Sequence, residues 1–137
     1  MALTSEHKAF IERIGGLAAA DMQKSGVLAS LTIAQAILES GWGKSGLTVK
    51  GNALFGIKAG KSWSGKVYSA KTQECYDGVN FTTITALFRA YDSWEESVAD
   101  HSALLTGLPR YRAVVGEKDY KAACRAIKAA GYATAPD

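Results

Sequence analysis

At 137 residues the chain is long enough for one domain with its own core and too short for two. Its composition is that of an ordinary globular protein, and no apolar run approaches the roughly 18 residues of a membrane span, so membrane insertion is not expected. A net charge of +3 is too mild for a nucleic-acid binder, which concentrates its basic residues in a stripe, but it is compatible with an acidic polymer as partner.

The opening Met-Ala-Leu-Thr-Ser-Glu-His-Lys shows no secretion leader. Residues 4–24 read as a first helix, with Phe10, Ile14, Leu17 and Ala18 as its apolar stripe and Gly26 as its end. Gly15-Gly16 costs that helix roughly 1 kcal/mol per glycine relative to alanine and would let another helix approach closely. His7 is expected to be solvated.

The string Ser30-Leu-Thr-Ile-Ala-Gln-Ala-Ile-Leu-Glu-Ser-Gly-Trp-Gly43 reads as a short second helix, with Ser30 as N-cap and Gly41 as C-cap. Ile33, Ala34, Ile37 and Leu38 recur on one face. Glu39 then lies at the negative end of the helix dipole among apolar neighbours. Both influences disfavour its charged form, as suits an acid that must hold a proton near neutral pH and then give it away. The alternative is a surface glutamate closing an ordinary helix; the adjoining Ser-Gly-Trp-Gly favours a sugar site.

No acidic residue lies between Glu39 and Glu74, while that segment holds six lysines and seven of the fourteen glycines. It reads as a basic, glycine-rich loop, within which Asn52-Ala-Leu-Phe-Gly-Ile-Lys58 looks packed. Phe55 and Ile57 would pin it to the body, with Gly56 where backbone must pass closely. Residues 66–76 and 79–91 read as a β-hairpin about an Asp77-Gly78 turn, and alternation puts Tyr68, Glu74 and Tyr76 on one face. Ser93-Trp-Glu-Glu96 is a capping box opening a third helix, and a fourth runs from about Asp119 to Ala130 with Gly131 after it. Cys75 and Cys124 read as buried free thiols rather than a disulfide. No Cys, His or Asp grouping has metal-ligand spacing, and no metal or cofactor is expected. The layout is a single α+β domain over residues 1–137, mainly helical with a small hairpin lobe.

Glycoside hydrolysis usually requires two carboxylates across the scissile bond, one protonated and one charged. Glu39 has the setting of the acid, and Glu74, on an open hairpin beside a basic loop, that of the ionised partner. Trp42, Trp63, Tyr91, Tyr111 and Tyr132 supply aromatic faces for sugars, although aromatic residues more often fill cores.

The ordered set Ala34-Gln-Ala-Ile-Leu-Glu-Ser-Gly-Trp-Gly43, Asn52-Ala-Leu-Phe-Gly-Ile-Lys58, Thr72-Gln-Glu74, Phe88-Arg-Ala-Tyr91-Asp-Ser, Glu96-Ser-Val-Ala-Asp-His101, Arg110-Tyr111 and Gly131-Tyr-Ala-Thr134 resembles glycoside hydrolase family 73. These are bacterial and phage peptidoglycan N-acetylglucosaminidases, autolysins and endolysins among them. The resemblance runs from about residue 6 to the end. It implies a lysozyme-like fold and hydrolysis of the β-1,4 bond from N-acetylglucosamine to N-acetylmuramic acid. It also implies Glu39 as catalytic acid, Glu74 as base or stabilising carboxylate, and Tyr132 as a tyrosine near the acid. The expected substrate-binding set is Trp42, Asn52, Phe55, Trp63, Tyr91, Tyr111 and Asp100. Asp100 has the alternative of a structural role, by capping or by pairing with Arg89 or Arg110. Ala135 stands where family members commonly carry an acid, and the chain ends where they continue, as one domain of a longer protein would. The expected partner is bacterial peptidoglycan, met outside the cell by a monomer. The missing leader leans toward a phage or prophage endolysin. A lytic transglycosylase or muramidase, and a non-catalytic peptidoglycan-binding module, remain as alternatives.

Overall fold

The computed structural model of the chain describes residues 3–75 and 78–130, the side chains of Glu74 and Cys75 excepted. The order is α1 (Ser5–Ser25), α2 (Ala29–Ser40), α3 (Gly46–Gly51), β1 (Val67–Cys75), β2 (Phe81–Arg89), α4 (Trp94–Gly107), a 3₁₀ turn (Pro109–Tyr111) and α5 (Tyr120–Ala129). Among the described residues no helix is long and apolar enough to cross a membrane.

Helix α1 starts at a capping box in which Thr4 Oγ1 accepts from His7 N and His7 Nδ1 accepts from Thr4 N. It ends at Gly26, in the left-handed conformation with φ 79°. Phe10, Ile14 and Ala18 are its buried stripe, packed against α2 and α4. Gly15 and Gly16 face open space, so the close helix approach expected there does not occur. Helix α2 starts one residue before Ser30, which is not its cap. The Leu28 carbonyl accepts from Leu31 N and Thr32 N, so main chain opens the helix while the Leu28 side chain packs on core.

The stretch read as a glycine-rich loop contains helix α3. Ser45 caps it by accepting from Thr48 N at 3.2 Å, and Asn52 closes it in the left-handed conformation. Six residues are too few to show a helical period in sequence.

Strands β1 and β2 pair antiparallel from Val67 opposite Arg89 to Cys75 opposite Phe81. Tyr76 and Asp77, on which the expected end of the first strand and its Asp77-Gly78 turn fall, lie outside the described residues. Tyr68, Ala70 and Thr72 share the more covered face with Ile84, Ala86 and Phe88, and Glu74 occupies the next even position, opposite Thr82. On the other edge of β2 the segment 57–59 adds a short bridge, with Arg89 N donating to Ile57 O and Ala59 N to Leu87 O, both at 2.8 Å. Regular pairing of β2 stops at Arg89 because Tyr91 N turns to the Gly51 carbonyl of α3.

Two apolar clusters make the interior. One joins Phe10 and Ile14 of α1, Ala36 of α2, Leu54 and Phe55, and Trp94 and Val98 of α4. The other joins Val27, Leu31, Leu105, Tyr111, Val114, Ala123 and Ile127. Asp119 caps α5, and Gly131, expected just beyond it, lies outside the described residues. Cys124 is an exposed free thiol, not the buried one expected: the buried stripe of α5 passes through Ala123 and Ile127 and leaves Cys124 on the outer face.

His101 is fully buried, stacked on Phe55 at 4.0 Å, and its Nε2 donates to Gln35 Oε1 at 2.8 Å. Burial lowers its pKa to about 3. The folded chain therefore keeps His101 neutral where the unfolded chain takes up a proton. Below pH 6.5 this one residue removes about 1.4 kcal/mol of stability per pH unit, until the pH nears its folded pKa. Denaturant unfolding at pH 7 and pH 5 checks this. His101→Gln should lower stability at pH 7 and shrink the loss between the two pH values; an unchanged loss would assign the acid sensitivity to other groups.

Candidate active site

Glu39 lies in the last turn of α2, which has no basic residue in it. The chain then turns sharply. Gly41, Trp42 and Gly43 are three successive left-handed residues, with φ of 55°, 61° and 79°. A side chain there costs about 1–2 kcal/mol for Trp42, and packing offsets it: the indole stacks on His7 at 4.0 Å and meets the Phe10 ring edge-on at 6.0 Å. His7 is thus not simply solvated. Gly43 must be glycine for space as well, since a Cβ there would meet the Phe10 ring at 3.0 Å. The buried Ser40 hydroxyl accepts from Gly43 N at 2.8 Å, and Lys44 pairs with Glu6 at 2.7 Å. The first turn of α1 and Ser40 together fix the turn behind Glu39.

The other side of Glu39 is formed by Gly56. Its φ is +61°, and a Cβ built there would stand 3.6 Å from Glu39 Oε2. Leu54 N donates to Ser97 Oγ and Phe55 is stacked on His101, so α4 holds this backbone in place. The Glu39 side chain remains open to solvent. The surrounding protein still desolvates its carboxyl enough to raise the pKa above the ordinary 4.5. No hydrogen bond or ion pair to it forms among the described residues, so nothing stabilises its charged form. Ser40 and Gly56 are the site residues that the sequence reading did not assign to it.

The other expected site residues fall into separate places. Asn52 Nδ2 donates to the Tyr91 carbonyl, Tyr91 Oη donates to Asp100 Oδ2 at 2.6 Å, and Arg89 Nη1 donates to the same oxygen at 3.0 Å. Trp63 covers this group: its indole N–H donates to Lys66 O, the Arg89 guanidinium stands 4.7 Å from its ring centre, and it meets Tyr91 edge-on. Asn52, Trp63, Tyr91 and Asp100 therefore form one network joining the hairpin root to α3 and α4. Asp100 takes the structural pairing with Arg89 that was its alternative. Phe55, 2% exposed, and Tyr111, 1% exposed, sit in the two apolar clusters and present no face to a ligand in this structure. Trp42 has one indole face taken by His7. Tyr132 lies outside the described residues, as does the Glu74 side chain. The Glu74 position is six residues along β1 from Tyr68, whose partner Phe88 bridges Lys58. At roughly 3.4 Å per residue, a straight strand carries it about 20 Å outward from the level of that bridge. No three His, Cys, Asp or Glu side chains among the described residues are grouped as metal ligands.

Residues 15–137 match the glucosaminidase family model, described as mannosyl-glycoprotein endo-beta-N-acetylglucosaminidase. The chain is 40% identical to the exo-glucosaminidase LytG of Bacillus subtilis strain 168, over 96% of this chain and 48% of that protein. It is 38% identical to the peptidoglycan hydrolase FlgJ of Escherichia coli K12, over 98% of this chain and 44% of that one. It thus spans somewhat less than half the length of these relatives. Its structure is similar to the catalytic domain of the autolysin Auto from Listeria monocytogenes, with a TM-score of 0.84 at 33% identity over 98% of this chain and 79% of that one. The fold is lysozyme-like α+β.

Gly56→Ala tests the wall beside the acid. The left-handed backbone makes the substitution cost about 1–2 kcal/mol, a melting temperature lower by roughly 3–10 °C. The added methyl also stands against the carboxyl, so turnover at a temperature where the variant is folded should fall. Wild-type melting together with wild-type turnover would detach Gly56 from the site.

Proposed function

The chain belongs to the glucosaminidase family, glycoside hydrolase family 73, and on that premise we propose that it hydrolyses the β-1,4 bond between N-acetylglucosamine and N-acetylmuramic acid in bacterial peptidoglycan, with Glu39 as the general acid. One observation carries the assignment. Glu39 is a solvent-reachable carboxyl that protein crowds without a donor to it among the described residues, so it holds its proton to higher pH than an ordinary glutamate. Protonated, it donates to the leaving oxygen as the glycosidic bond breaks.

Glu74 is the second carboxylate of the proposal, activating water or stabilising positive charge on the sugar. Its position on the outer hairpin supports a supporting part rather than a leading one. The substrate's own acetamido group is the alternative nucleophile, and it needs no second carboxylate close to Glu39.

Digestion of purified peptidoglycan, borohydride reduction and mass spectrometry of the fragments test the reaction. Reduced N-acetylglucosamine ends are expected. Anhydro-muramic ends would replace the proposal with a transglycosylase, and reduced muramic ends with a muramidase. Glu39→Gln should abolish hydrolysis and leave wall binding in place; full activity would remove Glu39 from the role. Glu74→Gln should cost less, about 10² to 10⁴ in rate, the range of general acid–base catalysis. Wild-type rates in that variant would favour the acetamido nucleophile. The rate should fall as pH rises through the raised Glu39 pKa, because the acid form is the active one. A rate that rises there would require a base instead.

A further inference from the structure

A concavity of about 430 Å³ opens at the root of the hairpin, between the end of α3 and the start of β1. Its walls carry charges of both signs. Lys50, on the last turn of α3, is exposed and makes no ion pair among the described residues. Lys66 and Asp92 pair with each other on the opposite wall. Tyr68 forms a flat side and lies along α3, its Cβ within 3.5 Å of a Cβ built on Gly51 and its hydroxyl 3.5 Å from one built on Gly46. Three main-chain carbonyls at the pocket are already used: Gly51 O accepts from Tyr91 N, Lys66 O from Ala90 N, and Tyr91 O from Asn52 Nδ2. Its charged side chains are left to meet a ligand.

We propose that this pocket binds the charged end of a peptidoglycan stem peptide, an amino-acid unit carrying both a free carboxylate and a free ammonium. The ligand carboxylate goes to Lys50 and Lys66, the ammonium to Asp92, and the intervening carbons lie on the Tyr68 ring. A simple anion is a poorer match, because it gains the lysines but meets the Asp92 carboxylate. A neutral sugar uses none of the three charges. The size is that of an ordinary small-molecule site. The proposal rests on the reading of peptidoglycan as substrate and adds to it a contact with the peptide rather than with the glycan.

The experiment compares two substrates, intact peptidoglycan and the same glycan stripped of its stems by an amidase. Wild-type enzyme should have kcat/KM about fivefold to tenfold higher on the peptide-bearing form, the scale of one or two exposed charge pairs. Lys50→Glu and Asp92→Asn should each remove that preference while holding the rate on stem-free glycan within about twofold. Lys50→Gln, at an exposed position, supplies a milder variant, and melting temperatures check the fold of all three. Equal losses on both substrates, or no loss on either, would overturn the pocket's assignment. So would wild-type hydrolysis of both substrates without preference. Wild-type hydrolysis of neither would overturn the peptidoglycan reading, and the pocket's ligand with it.

Discussion

The return of the chain past the end of α2 is the constraint on which the rest depends. Residues 52–59 make it, and they are held in turn by the end of α3, by α4 and by β2. Asn52 closes α3 and bonds the Tyr91 carbonyl. Leu54 N is held by Ser97 of α4, and Phe55 is stacked under His101. Ile57 and Ala59 pair with β2. Between these anchors the backbone must turn at Gly56, and it does so against the Glu39 carboxyl. The segment joins the helices of the first core to the hairpin. The same path that assembles the fold builds the wall of the site.

The carboxylates differ in what their placement gives them as partners. Asp21 on α1 accepts from the Ser25 and Ser102 hydroxyls and ties α1 to α4. Asp100 accepts from Arg89 and Tyr91 and ties α4 to the hairpin root. Both are part-buried and both are occupied by hydrogen-bond donors. Glu39 is crowded by protein but has neither donor nor cation among the described residues, and its pKa moves up. A carboxyl that the fold does not use for bonding is available for proton transfer.

The apolar spacing of α1, the Glu39 helix end and the packed Asn52–Lys58 string were all readable from sequence, because each rests on local pattern. Helix α3 was not, since a single capped turn and a half leaves no period. The Gly-Trp-Gly string looked like a sugar site and proves first to be a backbone device, three left-handed residues held by His7 and Phe10. Sequence shows the residues but not the sign of φ. Aromatic side chains were the least readable. Phe55 and Tyr111 are core, Trp63 and Tyr91 belong to a polar network, and only a partner many residues away decides between those fates.

The two carboxylates of the proposed reaction stand on very different footings. The acid is carried where α1, α2 and the 52–59 segment meet, and its surroundings are set by packing. The second lies toward the end of a two-stranded ribbon, which alone is marginally stable in water. That ribbon is secured at its root, by the bridge to 57–59, by Tyr68 against α3, and by the Trp63, Arg89, Asp100 and Tyr91 network. Phe81 is exposed at the outer end. Anything that loosens the root moves the Glu74 position by a lever of about 20 Å, at roughly 3.4 Å per residue, while leaving Glu39 in place. Damage to the Arg89–Asp100 pair therefore acts on the second carboxylate before it acts on the acid. A chemistry that drew its nucleophile from the substrate would be largely spared by such damage, and one that drew it from Glu74 would not.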